Sequence, residues 1–363
     1  MGKIKIDKLV NKERRKFLKS LGILLGGATL SSRLFPWRQY DETFSYQSSS
    51  LSKFTSDTIN FMTWNIAAWR KRSVNADEAT GLFPFRSDTS NNFRQGMENI
   101  LRINPDILLT QEDTMGCREN GYLDSVSQIV KEFGNAFYTK FFNYDFYFGL
   151  QHGGDYGQAT YSKVSLHDKK MFTFFYYMPN DIATSFQHHL VGSKGVNTSS
   201  FFWKGRKIYL DNLHLSSGNE DKERKQQLDL YFGNIFDPST TRIITGDFNF
   251  PFSKDELKEY EDGTDHSKDE APYSLANKIQ EIGSDKFVLP HELDIKSGMF
   301  SHKPGYETFP ATNPDTLENT VCNRMYDTIL LYDPNNTLSF DNYYVHQRVP
   351  SDHAAVTAKL RLA

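Results

Sequence analysis

Cysteine is scarce in this chain of 363 residues: Cys117 and Cys322 are the only two. That excludes a disulfide-rich scaffold, and neither cysteine has partners at the spacing a zinc site requires. The two could pair if the chain reaches an oxidising compartment, or remain free thiols. Long apolar runs are missing as well. Beyond the N-terminus no stretch of about 18 apolar residues occurs, which excludes a spanning helix there. There is no repeat at a solenoid period. Positive charge is short too, with 42 basic residues against 45 acidic ones. The first 30 residues hold 8 of the basic residues and 2 of the acidic ones, which leaves the remainder at a formal −9. A protein that held nucleic acid by nonspecific attraction would be basic, so any phosphate here must be met by a local patch or a metal.

What is present starts with an address. A basic run from Lys3 to Lys19 leads into the apolar, glycine-containing segment Leu21–Leu30. Within it Arg14-Arg15-Lys16-Phe17-Leu18-Lys19 resembles a twin-arginine export signal, which implies export machinery as a partner and a periplasmic or extracellular location. A short basic amphipathic helix is the alternative. No clean A-x-A site follows, so an uncleaved membrane anchor stays open. Residues 31–56, rich in serine and polar groups, read as a linker. The 38% hydrophobic and 14% aromatic content of the chain can fill a substantial core.

The rest alternates β-like runs with a few helical ones. Thr58–Ile66 reads as a strand, Asn92–Ile103 as a helix stopped by Pro105, and Asp106–Gln111 as a short strand delivering Glu112 at its end. A helix through Leu123 to Phe133 precedes the aromatic-rich segment 137–150 and a run at Gln158–Lys163. Further strands are expected at Lys169–Tyr177, Thr184–Val191, Lys207–His214 and Arg242–Asp247, with a charged helix over Glu220–Ile235. Residues 251–318 are polar and broken by prolines, and suggest an elaborated surface region rather than a second core. Strands at Met325–Tyr332 and Ala354–Leu360 close the chain. Strands with few helices, continuing to the C-terminus, favour two packed sheets with helices outside.

Polar residues cap several of these apolar runs. A carboxylate after an apolar strand, as at Glu112, is costly unless solvated, paired or bound to a cation. A hard divalent ion suits it, with Asn65 a neutral oxygen donor nearby and Asp352 a second carboxylate. Asp247 and Asn249 flank Phe248 and point the same way on an extended chain, so together they can hold an attacking water or a second metal. His214, with Asn212 two residues earlier on its face, could bind a phosphate oxygen or donate a proton. Asp327 can fix the tautomer of His353, which then handles a proton or steadies phosphorus. Singly, each has an ordinary structural explanation: a turn, a surface carboxylate, a hydrogen-bonded histidine.

Taken in order, Thr63-Trp64-Asn65, Gln111-Glu112, Asn212-Leu213-His214-Leu215, Gly246-Asp247-Phe248-Asn249, Tyr326-Asp327-Thr328-Ile329-Leu330 and Ser351-Asp352-His353 resemble the endonuclease/exonuclease/phosphatase family, typified by pancreatic deoxyribonuclease. The resemblance covers residues 57–363 and implies a four-layer α-β-β-α sandwich with two mixed sheets face to face. It implies phosphoester cleavage with Mg²⁺, or Mn²⁺ in its place, held by Glu112, Asn65 and Asp352. By the same resemblance Asp247 and Asn249 position water, and His353 pairs with Asp327. A histidine at position 214 matches the deoxyribonuclease and sphingomyelinase branches. One departure follows Ala159–Lys163: the second glutamate that supports this histidine in the deoxyribonuclease branch is not found.

The leading expectation is an exported, monomeric phosphodiesterase acting on nucleic acid. Arg70 and Arg72, in the basic, aromatic loop Trp69-Arg70-Lys71-Arg72, are candidates to contact a substrate backbone. A sphingomyelinase-type lipid phosphodiesterase or a small-molecule phosphatase is the alternative. An exposed aromatic tip in Phe141–Phe148 would favour lipid, whereas a buried hairpin would not. A noncatalytic binding protein would be expected to lack one of Glu112, Asp247 or His353.

Overall fold

The computed structural model describes residues 43–47, 54–66, 89–117, 123–143, 155–174, 194–216, 221–250, 270–290, 293–294, 299–300, 307–308, 326–346, 350–351 and 353–362. The first half runs β1 (Thr43–Gln47), β2 (Thr58–Asn65), α1 (Thr89–Ile103), β3 (Ile107–Cys117), β4 (Leu123–Asp124), α2 (Ser125–Phe133), β5 (Asn135–Asn143), β6 (Asp155–Ser162) and β7 (His167–Thr173). Next come β8 (Gly195–Trp203), β9 (Arg206–His214), α3 (Asp221–Asn234), β10 (Arg242–Asp247) and α4 (Ala271–Ile282). Then follow β11 (Phe287–Val288), β12 (Leu293–Asp294), β13 (Met299–Phe300), β14 (Asp327–Tyr332), β15 (Leu338–His346) and β16 (Ala355–Leu362).

Two mixed sheets result. One has the order β1-β5-β6-β3-β2-β16-β15, with β4 beside β3, and the other the order β11-β14-β10-β9-β8-β7. Each contains one parallel pair near its middle, β2 with β3 and β9 with β10, while their other pairings are antiparallel. This arrangement sets the location of the chemistry. The C-terminal ends of β2, β9 and β10 lie together beside the middle of β3, and the antiparallel strands β14 and β16 begin where β10 and β2 finish. Apolar side chains of both sheets, among them Ile59, Phe61, Phe201, Leu210, Ile243 and Leu331, fill the space between them. Outside the second sheet, Leu228 and Tyr231 of α3 and Leu275 and Ile279 of α4 pack on Val196, Leu213, Ile244 and Leu330. Outside the first, α2 is amphipathic and buries Val126, Ile129, Val130 and Phe133. The four-layer α-β-β-α sandwich expected from the resemblance is the fold observed.

Several local expectations change. Residues 43–47, inside the stretch read as a linker, form β1 in antiparallel register with β5. Residues 271–282, inside the supposed surface region 251–318, form the core helix α4, started by Pro272 in its first turn. Strands β8 and β15 also escaped the sequence reading. The central residues of β8, Asn197 to Ser200, are polar yet buried, so neither alternation nor apolarity marks them. Those of β15 lie on an edge with little burial, and the turn before it is built by Asp333. That carboxylate accepts hydrogen bonds from the backbone amides of Asn335, Thr337 and Leu338. The strand expected at Thr184–Val191 and the N-terminal segment 1–30 lie outside the described residues.

The polar residues of β8 and β9 have a structural use. Asn212 donates to the carbonyls of Thr110 and Ala159 on the opposite sheet at 2.9 and 3.1 Å, and accepts from Gln111 at 2.7 Å. Asn197 likewise donates to the Phe137 carbonyl at 3.0 Å. Buried amides are tolerable because each finds partners across the gap, and this seam fixes one sheet's offset on the other. Gly246 then brings β9 and β10 together at the strand end. Its φ is 134°, and an added Cβ would lie 1.9 Å from the Leu213 carbonyl oxygen. Gly246→Ala is therefore expected to lower unfolding free energy by about 2–4 kcal/mol, combining backbone strain with overpacking. Urea denaturation measures it, and a loss under about 0.5 kcal/mol, the scale of a neutral surface change, would contradict this account.

Candidate active site

Asp247 ends β10, with His214 its register partner on β9 and Asp327 its partner on β14. Three adjacent strands thus present an imidazole and two carboxylates abreast. From the other sheet, Asn65 at the end of β2 donates to Asp247 Oδ2 at 2.9 Å. The chain turns immediately after Asp247. Asn249, at φ 54°, donates its backbone amide to Oδ1 and its side-chain amide to Oδ2, each at 2.9 Å. This is an Asx-type turn, whose side-chain bond replaces the lost ladder. Asn249 also donates to the Leu215 carbonyl at 3.0 Å, so the turn is tied back to β9. The pairing expected of Asp247 and Asn249 is therefore present, but as a direct hydrogen bond.

His353 sits just before β16. Its Nδ1 lies 2.7 Å from Asp327 Oδ2 and its Nε2 3.9 Å from Asp247 Oδ2. The Asp327 carboxylate accepts a hydrogen bond from Nδ1–H and turns Nε2 toward the site. Surrounding contacts hold the ring: Trp64 Nε1 donates to the His353 carbonyl at 3.0 Å, and Ser351 Oγ to the Asn65 carbonyl at 2.7 Å. Thr308 binds both flanks, accepting from the amides of Tyr326 and Asp327 and from that of Ala354. Trp64, Ser351 and Thr308 were not assigned these jobs from sequence. Nothing in one sequence marks Thr308, since it lies in the proline-broken region.

Glu112 is not at a strand end. β3 runs on to Cys117, and Glu112 is the extra residue of a bulge between Gln111 and Asp113 against β6. Its φ is 58°, a conformation costing on the order of 1–3 kcal/mol for a residue that is not glycine. Bulges re-aim side chains beside functional sites. Here Glu112 Oε1 stands 3.8 Å from His214 Nε2, which itself lies 3.4 Å from Asp247 Oδ2.

The two imidazoles have opposite surroundings. His214 Nε2 faces Lys194 Nζ at 2.6 Å as well as the carboxylates of Asp247 and Glu112. An ammonium only donates, and the nearer ring nitrogen, Nε2 at 2.6 Å against 3.4 Å for Nδ1, is the one placed to accept, which favours the proton on Nδ1. Burial, then Lys194, hold the His214 pKa well below its ordinary value, against the pull of Glu112. In its neutral form the ring accepts from Lys194, so the proton-donor role open to it from sequence requires that it first be protonated. Lys194 escaped notice because it precedes the unrecognised strand β8. Burial also pushes the Asp247 carboxyl up to about 7 even against the pull of His353, and the Asp327 carboxylate adds to the rise.

The donor set fits a hard divalent cation. Asp247, Asp327 and His353 place ligand atoms within 4.8 Å of one another, and the buried Asp327 Oδ1 has no hydrogen-bond partner. Glu112 and Asn65 add two oxygen donors, the chemistry such ions prefer. Of the sequence candidates, Asn65, Glu112, His214, Asp247, Asn249, Asp327 and His353 are brought to one place. Asp352, Arg70 and Arg72 lie outside the described residues, as do the side chains of the aromatic segment beyond Phe141. Phe141 itself is buried in β5.

Residues 62–354 match the model of the Endonuclease/Exonuclease/phosphatase family. No curated protein matches the chain. Among solved structures, an endonuclease/exonuclease/phosphatase from Beutenbergia cavernae DSM 12333 aligns with TM-score 0.54 at 15% identity, over 84% of this chain and 72% of that one. A family protein from Leptotrichia buccalis C-1013-b aligns with TM-score 0.52 at 12% identity, over 84% and 100%. One from Bacteroides thetaiotaomicron gives 0.51 at 15%, over 84% and 98%. At these identities the likeness concerns the fold.

In metal-free protein, ¹⁵N NMR at pH 6 is expected to show His214 as the neutral Nδ1–H tautomer. Because Lys194 depresses its pKa, Lys194→Met should raise it, so that protonation sets in at a higher pH than in the wild type. A downward or absent shift would contradict the assigned contact.

Proposed function

Because this chain belongs to the endonuclease/exonuclease/phosphatase family, and so is a metal-dependent phosphoester hydrolase, we propose that it is an exported phosphodiesterase acting on nucleic acid. The observation that carries the reading is the Asp247 carboxylate, buried, bonded by Asn65 and Asn249, and facing both His214 and His353. An oxygen held this way can orient a water and take its proton during attack on phosphorus. In this reading Glu112 and Asn65, with Asp352, hold Mg²⁺, and Mn²⁺ can substitute. The ion, when bound, supplies positive charge to the phosphate and the developing charge on it.

The remaining roles belong to the protein's own groups. His353, aligned by Asp327 and protonated on both ring nitrogens, donates from Nε2–H to a phosphoryl oxygen. Lys194 adds a positive charge beside His214, so a cation stands where the acidic body of the chain would otherwise repel a phosphate. Arg70 and Arg72 are assigned to the substrate backbone. Of the aromatic segment whose exposure would favour a lipid, Phe141 is core, and the side chains beyond it lie outside the described residues. A noncatalytic reading loses its basis, since Glu112, Asp247 and His353 are all retained. The chain is taken to act as a monomer, exported through the signal around Arg14 and Arg15.

Purified protein assayed with Mg²⁺ on plasmid DNA, RNA, sphingomyelin and inositol phosphates tests the substrate class. Hydrolysis of nucleic acid is expected, and exclusive turnover of sphingomyelin or inositol phosphates would overturn that part of the reading. EDTA should abolish activity. His353→Ala should lower kcat by about a hundred- to ten-thousand-fold, and Glu112→Ala should be comparably impaired; unchanged turnover in either would sink the site assignment. For export, replacing Arg14 and Arg15 by lysine should leave the protein in the cytoplasmic fraction, and unaltered fractionation would argue against a twin-arginine route.

A further inference from the structure

Glu112 reaches the site only because the strand carrying it is interrupted, and the interruption is held by its neighbour. Along a regular strand Gln111 and Asp113 would share one face and Thr110 and Glu112 the other. Instead Gln111 turns its amide to Asn212 on the opposite sheet, whereas Asp113 lies with Thr110 on the face covered by α2 and Tyr161. Between them the bulge leaves Glu112 in a left-handed backbone conformation, aimed toward His214.

The Asp113 carboxylate is wholly buried, and its hydrogen bonds go to Thr110, Thr114, Ser125 and Tyr161. It accepts four hydrogen bonds that bracket the bulge. Thr110 Oγ1, two residues before Glu112, donates at 2.7 Å, and the Thr114 amide, two residues after it, at 2.8 Å. Tyr161 of β6 donates its hydroxyl at 2.6 Å, and the Ser125 hydroxyl donates from the first residue of α2. A buried carboxylate satisfied from two strands and a helix resists rearrangement, because slipping the bulge by one residue would strand its charge.

We propose that Asp113 is a positioning residue, whose carboxylate fixes the bulge and thereby aims Glu112 at the metal. This rests on the assignment of Glu112 as a metal ligand. Its consequence is that Asp113 governs metal affinity before any substrate is present, in the way outer partners of metal ligands do. A purely structural role would lower the melting temperature and leave metal affinity alone.

The experiment is calorimetric titration of Mn²⁺ into the metal-free full chain, with circular dichroism to confirm folding. Asp113→Asn, which keeps the shape but sets an amide against the surrounding donors, should weaken Mn²⁺ binding by about ten- to a hundred-fold. At saturating Mg²⁺ its kcat should fall far less than its affinity does. Glu112→Gln is the control and should abolish the same binding isotherm. Unchanged affinity in folded Asp113→Asn, with binding lost in Glu112→Gln, overturns the role of Asp113 alone. Unchanged affinity in Glu112→Gln overturns the ligand assignment beneath it. If Asp113→Asn does not fold, Tyr161→Phe decides, since it removes one of the four donors: a weaker isotherm supports the proposal, and an unaltered one refutes it.

Discussion

The structure turns on one carboxylate buried where two sheets meet. Asp247 ends the central strand of its sheet, and a charge withdrawn from water there costs several kcal/mol unless donors replace the solvent. Asn65 supplies one donor from the facing sheet and Asn249 two from the following turn. Satisfying Asp247 therefore requires that the sheets be stacked in one offset and that the chain turn at once after β10. The amide seam through Gln111, Asn212 and Asn197 enforces that offset along the interior. Gly246 lets β9 approach closely enough for His214 to stand beside the carboxylate.

Around that point the protein differentiates two histidines by what stands behind them. His353 is backed by Asp327, which orders its tautomer. His214 is flanked by Lys194 and buried, so it stays uncharged. Two like side chains a few ångströms from the same carboxylate are thereby set to different electrostatic tasks. In the proposed reading the lysine also supplies local positive charge beside a site whose chain body carries an excess of acidic residues.

How much of this could be read beforehand depended on whether a residue's signal was local. Asn65, His214, Asp247 and Asp327 stand beside apolar runs that mark strands, so their place at one rim followed once the strands were assigned. Glu112 was found by the same logic, but its bulge was not, since the extra residue exists only relative to β6. β8 was lost because Asn197 to Ser200 carry no apolar signature; they are buried by virtue of partners on the other sheet. The helix α4 was hidden by proline-rich surroundings, and Thr308 and Lys194 were hidden with their segments.

The chain's own sequence determined most of the strand-and-helix order, the family and the identity of the chemical groups, because apolar periodicity and the residues that end each run are written into neighbouring positions. Tertiary structure alone decided how those groups are tuned. The neutral state of His214, the left-handed aim of Glu112 and the shared bonding of Asp247 each arise between residues far apart in sequence. Burial and hydrogen-bond partnership are properties of the folded neighbourhood, and no single position carries them.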